Sequence, residues 1–420
     1  MEYFEIVGGK RLSGEVYING AKNAAVAMLP AALAGNDVCV LENLPNIEDV
    51  HSLVDALRKI GAKCEFRDQH TLVIDSRDVT DHNAHYESVK KTRASYYLVG
   101  VLLGRFGKAT VALPGGCNFG TRPIDQHIKG FEALGAEVKI EHGMIIAQAE
   151  RLVGTNIYLD LVSVGATINI MLAAIYAEGT TIIENAAKEP HVVDTANFLN
   201  AMGAKIKGAG TDVMRIVGVK EMHGAEYMII PDQIEAGTYL IAGAITGGEV
   251  TVRNIIPKHM DSISAKLQEM NCQIEVGDDF VTLNVPGKLT SANIKTMTYP
   301  GFPTDLQPQM TALLCVAEGT GIITETIWEN RFQYISELKR MGCLITVEGR
   351  MAVVEGGTQL TGAEALATDL RAGAALVVAG LAAKGRTLVG NVRYIDRGYE
   401  DLVQKLTNLG AEIRRVEIEE

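Results

Sequence analysis

Apolar residues recur along the chain in two alternating kinds of run. The first kind is apolar on nearly every face and ends in a glycine turn. Its members are Ala24–Gly35, Tyr96–Gly107, Ile168–Gly179, Tyr239–Gly248, Met310–Gly319 and Ala374–Gly385. A helix that is hydrophobic all round has to be buried. The closing glycines lie 72, 72, 69, 71 and 66 residues apart, so the chain is an internal repeat. Each run leads into a short strand, such as Val38-Cys39-Val40 or Thr110–Leu113. The second kind of run is amphipathic: Leu53, Leu57 and Ile60 alternate with Asp55, Arg58 and Lys59. It ends at Leu57–Gly61, Phe131–Gly135, Leu199–Gly203, Leu267–Asn271, Leu338–Gly342 and Leu406–Gly410. Five glycines and one asparagine at the closing position are what a left-handed helix C-cap requires. A further strand follows each cap, as in Ala136–Ile140.

The chain therefore reads as six α/β units grouped three and three. Three buried helices, wrapped by sheets and outer helices, give each group the form of an inside-out α/β barrel. The Pro231-Asp232 step marks the junction, so one domain spans 22–230 and the other 231–420. Residues 1–21 precede the first unit without a partner helix and are expected to return to the second domain.

Polar residues fall at the entrance of each buried helix: Lys22-Asn23, Arg93, Ser163, Asp232 with Glu235, Asp305, and Asp369 with Arg371. Ser163, Asp232 and Asp369 suit N-caps as well as ligand contacts. Lys22, Arg93 and Arg371 do not, because a cation at a helix N-terminus opposes the dipole. Something negative must offset it, a partner carboxylate or an anionic ligand. A shared anionic ligand is the expectation here. Arg122, Arg331 and Arg397 on strand-to-helix loops add to the set, and arginine's planar fork suits phosphate and carboxylate.

Charge sharpens this reading. The 420 residues carry a net charge of −12, which argues against a nucleic-acid or anionic-membrane surface and makes a local cation cluster informative. The N-terminus lacks a secretory pattern, and the longest apolar runs fall short of the roughly 20 residues that span a bilayer. Cys39, Cys64, Cys272, Cys315 and Cys343 sit in apolar contexts and read as buried free thiols, with no C-x-x-C pair. A reducing cytoplasm is the expected setting. No nucleotide-binding glycine loop, zinc-protease motif or serine elbow occurs, and the histidines do not cluster. The expected site has neither metal nor cofactor.

The sixth cysteine differs. Cys117 lies in Pro114-Gly115-Gly116-Cys117-Asn118-Phe119-Gly120, a glycine-rich loop with no core to fill. Arg122 lies five residues on, and a nearby cation activates a thiol. A turn that happens to hold a cysteine is the competing reading.

Eight segments then carry a resemblance. Ala21-Lys22-Asn23-Ala24, Pro114-Gly115-Gly116-Cys117, Arg122-Pro123-Ile124-Asp125, Ser163-Val164-Gly165-Ala166-Thr167, Pro303-Thr304-Asp305, Glu329-Asn330-Arg331, Thr368-Asp369-Leu370-Arg371 and Asp396-Arg397-Gly398-Tyr399 occur in this order. Together they closely resemble the UDP-N-acetylglucosamine 1-carboxyvinyltransferase family, the enolpyruvyl transferases of peptidoglycan synthesis. The resemblance runs from about residue 4 to 416. It implies two inside-out α/β barrels, and a step of cell-wall biogenesis on which cell shape and division depend. The implied reaction moves the enolpyruvyl group of phosphoenolpyruvate to the 3-hydroxyl of UDP-N-acetylglucosamine by addition and elimination, releasing phosphate.

The resemblance also implies roles. Asp305 would be the base and Cys117 the acid, the latter able to form a covalent adduct with phosphoenolpyruvate or fosfomycin, with fosfomycin sensitivity as the consequence. Lys22, Asn23, Arg122, Arg331, Arg371 and Arg397 would hold phosphoenolpyruvate. Arg93, Arg122, Pro123, Ile124, Asp125, Gln126, Val164, Asp305 and Ile327 would hold the nucleotide sugar, with the Cys117 loop as a lid over a two-domain cleft. Leu161 and Gln233 depart from residues common in the family, a lysine and an arginine. Three alternatives are a 3-phosphoshikimate 1-carboxyvinyltransferase, which lacks the Pro-Gly-Gly-Cys loop, a non-catalytic UDP-sugar-binding paralogue, and a purely structural repeat protein.

Overall fold

The computed structural model describes residues 1–84, 93–113 and 124–418; for 93 and 94 it describes the backbone alone. Cys117, Arg122 and Pro123 therefore lie outside the described residues. The described residues form two compact units, one of residues 20–84, 93–113 and 124–230 and one of 1–19 with 231–418. Each has its own hydrophobic core.

The first unit is built on helices Lys22–Ala31, Tyr97–Phe106 and Val164–Ala174, and the second on Gln233–Ile245, Gln307–Val316 and Leu370–Ala382. In Val164–Ala174 every residue from Ala166 onward is buried, and in Gln233–Ile245 every residue from Ile234. These helices are apolar on nearly every face and their few polar side chains, such as Asn169 and Thr238, are buried with the rest, so a central position suits them. Helices such as Glu48–Lys59 lie outside them and bury one face, with Asp55, Arg58 and Lys59 outward.

Among the described residues the strands form six four-stranded sheets of one recurrent order. In the first, Glu226–Met228 lies parallel to Val38–Glu42, which pairs antiparallel with Leu72–Asp75, itself antiparallel to Lys63–Phe66. The parallel edge strand thus comes from the end of the third repeat, which closes that unit on itself. The other unit closes through the N-terminus. Glu2–Val7 lies between Arg386–Gly390 and Glu412–Glu417, in the place a hairpin strand takes elsewhere. Ser13–Tyr17 then supplies the parallel edge beside Glu249–Arg253. The first 19 residues complete the sixth repeat and edge the fourth.

The six predicted caps are left-handed: φ is 106° at Gly61, 98° at Gly135, 103° at Gly203, 71° at Asn271, 94° at Gly342 and 96° at Gly410. The predicted glycine turns after the buried helices differ in two places. Gly35 has no positive φ, and in the fourth repeat the positive φ falls on Gly247. Gly248 is needed for another reason: a Cβ there would stand 2.1 Å from the Leu12 carbonyl oxygen of the neighbouring segment. Cys39, Cys272, Cys315 and Cys343 are buried free thiols, whereas Cys64 is half-buried on the strand Lys63–Phe66. No helix among the described residues is long and apolar enough to cross a membrane.

Candidate functional site

In the second unit three of the predicted residues meet. Asp305 lies in the single 3-10 turn Thr304–Leu306 that leads into Gln307–Val316. Its Oδ2 accepts from Arg371 Nη2 at 3.2 Å, and its Oδ1 lies 3.7 Å from Arg331 Nη2. Both arginine side chains are 4% exposed, while that of Asp305 is 29% exposed. The carboxylate is thus the open face of a buried charge cluster. Two guanidiniums meet on this one carboxylate, and arginine's planar fork suits a further carboxylate or phosphate.

Local sequence explains how Arg371 reaches this place. Asp369 is the N-cap, and its carboxylate accepts from the backbone N–H groups of Arg371 and Ala372. The cap anion satisfies two orphan amides and offsets the cation in the first turn. Burial would lower the Arg371 guanidinium, but Tyr399 and Asp305 outweigh that effect and hold its pKa above the usual value. Asp232 caps the helix Gln233–Ile245 in the same way, accepting from Ile234 and Glu235 N–H. Glu235 itself is paired with Lys405 at 2.5 Å. Arg397 is half-buried at the end of the short helix Arg393–Asp396, two residues before Tyr399. Ile327 is exposed on the loop after Thr320–Thr324, its N–H bonded to Glu325 Oε1 at 2.8 Å.

In the first unit, Lys22 opens helix Lys22–Ala31 with no side-chain cap before it. Its Nζ lies 3.1 Å from Asp49 Oδ2, with both side chains largely buried. Asn23 follows it, half-buried. The two described cations at buried-helix entrances, Lys22 and Arg371, thus each have a carboxylate of their own unit. Partner carboxylates account for part of the charge that was expected to fall to a ligand. Ser163 is a plain N-cap accepting from Ala166 N–H, and Val164 begins the helix behind it. Arg93 starts a 3-10 turn ahead of Tyr97–Phe106.

Ile124 caps the helix Asp125–Ala133, and Asp125 is exposed in its first turn. Gln126 is held from both ends of its amide. Its Nε2 donates to Asp125 Oδ2 at 2.9 Å and Asp160 Oδ2 at 3.1 Å, and its Oε1 accepts from Asp160 N–H. Leu161, next in sequence, is 68% exposed. Gln233 opens its helix just inside the Asp232 cap.

Sequence reasoning missed Asp49, Thr238, Gln309 and Tyr399, each of which touches a predicted residue or its partner. Tyr399 stood inside the Asp396–Tyr399 segment, so a signal for it existed. Asp49 is one of many carboxylates on outer helices and carried none. Cys39, Cys64 and Cys272 are poor nucleophiles: burial pushes Cys39 and Cys64 up to about 11 and Cys272 up to about 12. Among the described residues no group of His, Cys, Asp or Glu is placed to hold a metal ion.

Comparison with known proteins adds to this geometry. A family model described as EPSP synthase (3-phosphoshikimate 1-carboxyvinyltransferase) matches residues 6–406. The chain is 58% identical to the UDP-N-acetylglucosamine 1-carboxyvinyltransferase of Clostridium botulinum, over 99% of this chain and 100% of that protein. It is 57% identical to UDP-N-acetylglucosamine 1-carboxyvinyltransferase 2 of Clostridium acetobutylicum, over 100% of both. The enolpyruvyl transferase NikO of Streptomyces tendae superposes with a TM-score of 0.89 at 28% identity, over 99% of this chain and 98% of that one. EPSP synthase of Acinetobacter baumannii superposes with a TM-score of 0.76 at 18% identity, over 99% of this chain and 100% of that one, a likeness of fold alone.

Proposed function

The chain belongs to the UDP-N-acetylglucosamine 1-carboxyvinyltransferase family of enolpyruvyl transferases, and from that premise we propose how its residues carry the reaction. It transfers the enolpyruvyl group of phosphoenolpyruvate to the 3-hydroxyl of UDP-N-acetylglucosamine and releases phosphate, a step of peptidoglycan synthesis. Identity above 50% along the whole chain to proteins of that name supports this acceptor over shikimate 3-phosphate.

The chemistry needs a base for the hydroxyl proton, an acid for the methylene carbon, and cations for the carboxylate and phosphate. Asp305 is the base: it is the exposed member of a cluster whose other members are buried. Arg371 and Arg331 hold its carboxylate in place and bring the positive charge that phosphoenolpyruvate and the tetrahedral intermediate need. Lys22, Asn23, Arg122 and Arg397 complete the cation and amide set. Cys117 is the acid. Arg93, Arg122 to Gln126, Val164 and Ile327 hold the nucleotide sugar, with Asp305 on its hydroxyl. The observation that carries this reading is the convergence of Arg331 and Arg371 on one solvent-reaching carboxylate.

The test is phosphate release on mixing phosphoenolpyruvate with UDP-N-acetylglucosamine, compared with shikimate 3-phosphate. Release with the first acceptor is expected, and release with the second alone rejects the reading. Asp305→Ala should lower turnover by about 10²–10⁴-fold while the protein stays folded. Cys117→Ser should lose fosfomycin labelling and most turnover; full activity would remove Cys117 as the acid.

A further inference from the structure

Behind Arg371 lies a buried hydrogen-bonded hub that the roles above do not use. Thr238, Gln309 and Arg371 come from the three buried helices of the second unit, one from each, and Tyr399 joins them from the chain beyond Arg397. All four are buried. Thr238 Oγ1 donates to the Ile234 carbonyl at 2.8 Å. That uses its one proton, so it can only accept from Tyr399 Oη, at 2.8 Å, and from Gln309 Nε2, at 3.1 Å. Tyr399 Oη therefore donates to Thr238. Its lone pairs accept from Gln309 Nε2 at 3.1 Å and from Arg371 Nη1 at 3.2 Å. The Tyr399 proton is thus committed to Thr238, while Gln309 Nε2 spans both oxygens and its buried Oε1 has no hydrogen-bond partner among the described residues. The Tyr399 ring also lies beside the guanidinium, 5.4 Å from its carbon.

Arg371 is thus gripped on two sides. One terminal nitrogen is on the Tyr399 hydroxyl and the other on Asp305. A guanidinium is a rigid fork, so fixing one nitrogen fixes the direction of the other. We propose that Tyr399, locked by Thr238 and Gln309, is a positioning residue that sets Arg371, and through it Asp305, in the geometry the transfer requires. This rests on the reading of Asp305 and Arg371 given above.

The test compares kcat for phosphate release, per folded molecule, in the parental chain and in Tyr399→Phe, Thr238→Val and Thr238→Ser. The thermal midpoint of each is recorded. Tyr399→Phe keeps the ring and removes the acceptor of a charged donor, so kcat should fall about 10- to 100-fold. The KM for UDP-N-acetylglucosamine should change by less than kcat, since of the residues assigned to that substrate only Asp305, at its 3-hydroxyl, lies on this chain of contacts. Thr238→Val keeps the shape but removes the acceptor for the tyrosine proton, and should cost about 3- to 10-fold. Thr238→Ser restores the hydroxyl and should recover parental kcat.

A merely structural hub would lower the thermal midpoint and leave kcat of the folded molecules unchanged, which overturns the inference. Thr238→Ser no better than Thr238→Val would also overturn it. If Tyr399→Phe does not fold, the Thr238 pair decides. A parental chain that releases no phosphate overturns both this inference and the activity it rests on; an active parent with unaffected variants overturns this inference alone.

Discussion

The two units share one repeat and one buried three-helix centre, yet they fill the polar gap at that centre differently. In the first unit the filler is neutral. Asn169 donates both amide protons, to the Tyr96 carbonyl at 2.8 Å and to His127 Nδ1 at 3.0 Å, and its Oδ1 accepts from Gly100 N–H at 2.8 Å. In the second the filler is the Thr238–Gln309–Tyr399 hub, which ends in the Arg371 cation. A neutral amide satisfies helix ends and stops there. A cation whose side chain is held on one nitrogen by the neutral Tyr399 hydroxyl turns its other nitrogen to a charged partner, here Asp305. On the roles proposed above, the centre of the first unit is structural and that of the second is chemical.

Removing the charged filler tests the comparison most strongly. Arg371→Met should lower kcat/KM for phosphoenolpyruvate on the order of 10²–10³-fold, the size of losing one preorganised electrostatic contact. Phosphate-release rates at varied phosphoenolpyruvate check it. Lys22 lies between the two cases, because it is a cation already matched by Asp49. Lys22→Met alone should destabilise the fold by about 3 kcal/mol, since it strands a carboxylate with a largely buried side chain. Adding Asp49→Leu should recover most of that stability without recovering turnover. Urea unfolding of the single and double variants separates the two effects, and turnover regained in the double variant would make Lys22 a structural cation only.

How much of this was legible depended on the range of the physics involved. The left-handed caps at Gly61, Asn271 and their equivalents could be read because a backbone conformation is a local demand. The buried helices could be read because a surface apolar on nearly every face allows one location. A second local signal went unread: Asn43, Asn185, Asn254 and Asn391 follow strands with φ of 55–58°. Their side-chain amides all bond a backbone carbonyl on another segment, as Asn43 does with Ile229 at 2.8 Å. The pairings of Lys22 with Asp49 and of Arg371 with Asp305 join distant segments, and nothing local distinguishes those carboxylates from others. Long-range closure, as with Glu2–Val7 inside the last sheet, was visible only as a segment lacking a helix.

The neutral filler should answer to stability rather than turnover. Gly100→Ala would bring a Cβ within 2.2 Å of the Asn169 carbonyl oxygen, forcing the two buried helices apart. A loss of about 1–3 kcal/mol is expected. Asn169→Leu orphans the Gly100 amide and the Tyr96 carbonyl for a loss of about 2 kcal/mol. In both variants kcat of the folded molecules should stay within about two-fold of the parent. A large fall in kcat at unchanged stability would break the contrast between the two centres.

The smallest effect concerns how each unit treats a buried carboxylate away from the helix centre. In the second unit Glu235 has Lys405 beside it. In the first, Asp194 is buried, and accepts from the Tyr227 hydroxyl at 2.7 Å and Ile230 N–H at 3.1 Å, neither of which is a cation. Burial outweighs these two donors and pushes Asp194 up to about 6, against an ordinary 3.8. The folded protein therefore binds this proton more tightly than the unfolded chain does. The associated stabilisation is fully present below the unfolded value and is lost as pH rises through about 6. From pH 8 to pH 5 this one group should add about 1.4 kcal/mol to stability, against the general acid destabilisation from carboxylates whose pKa values are lowered. Asp194→Asn removes the titration, so the difference in stability between the parent and this variant should narrow at high pH and widen toward pH 5 in the parent's favour. Urea midpoints of the two proteins across that range measure it. A difference that stays flat with pH would mean that water or a cation reaches Asp194, and that the first unit does not rely on neutral partners there.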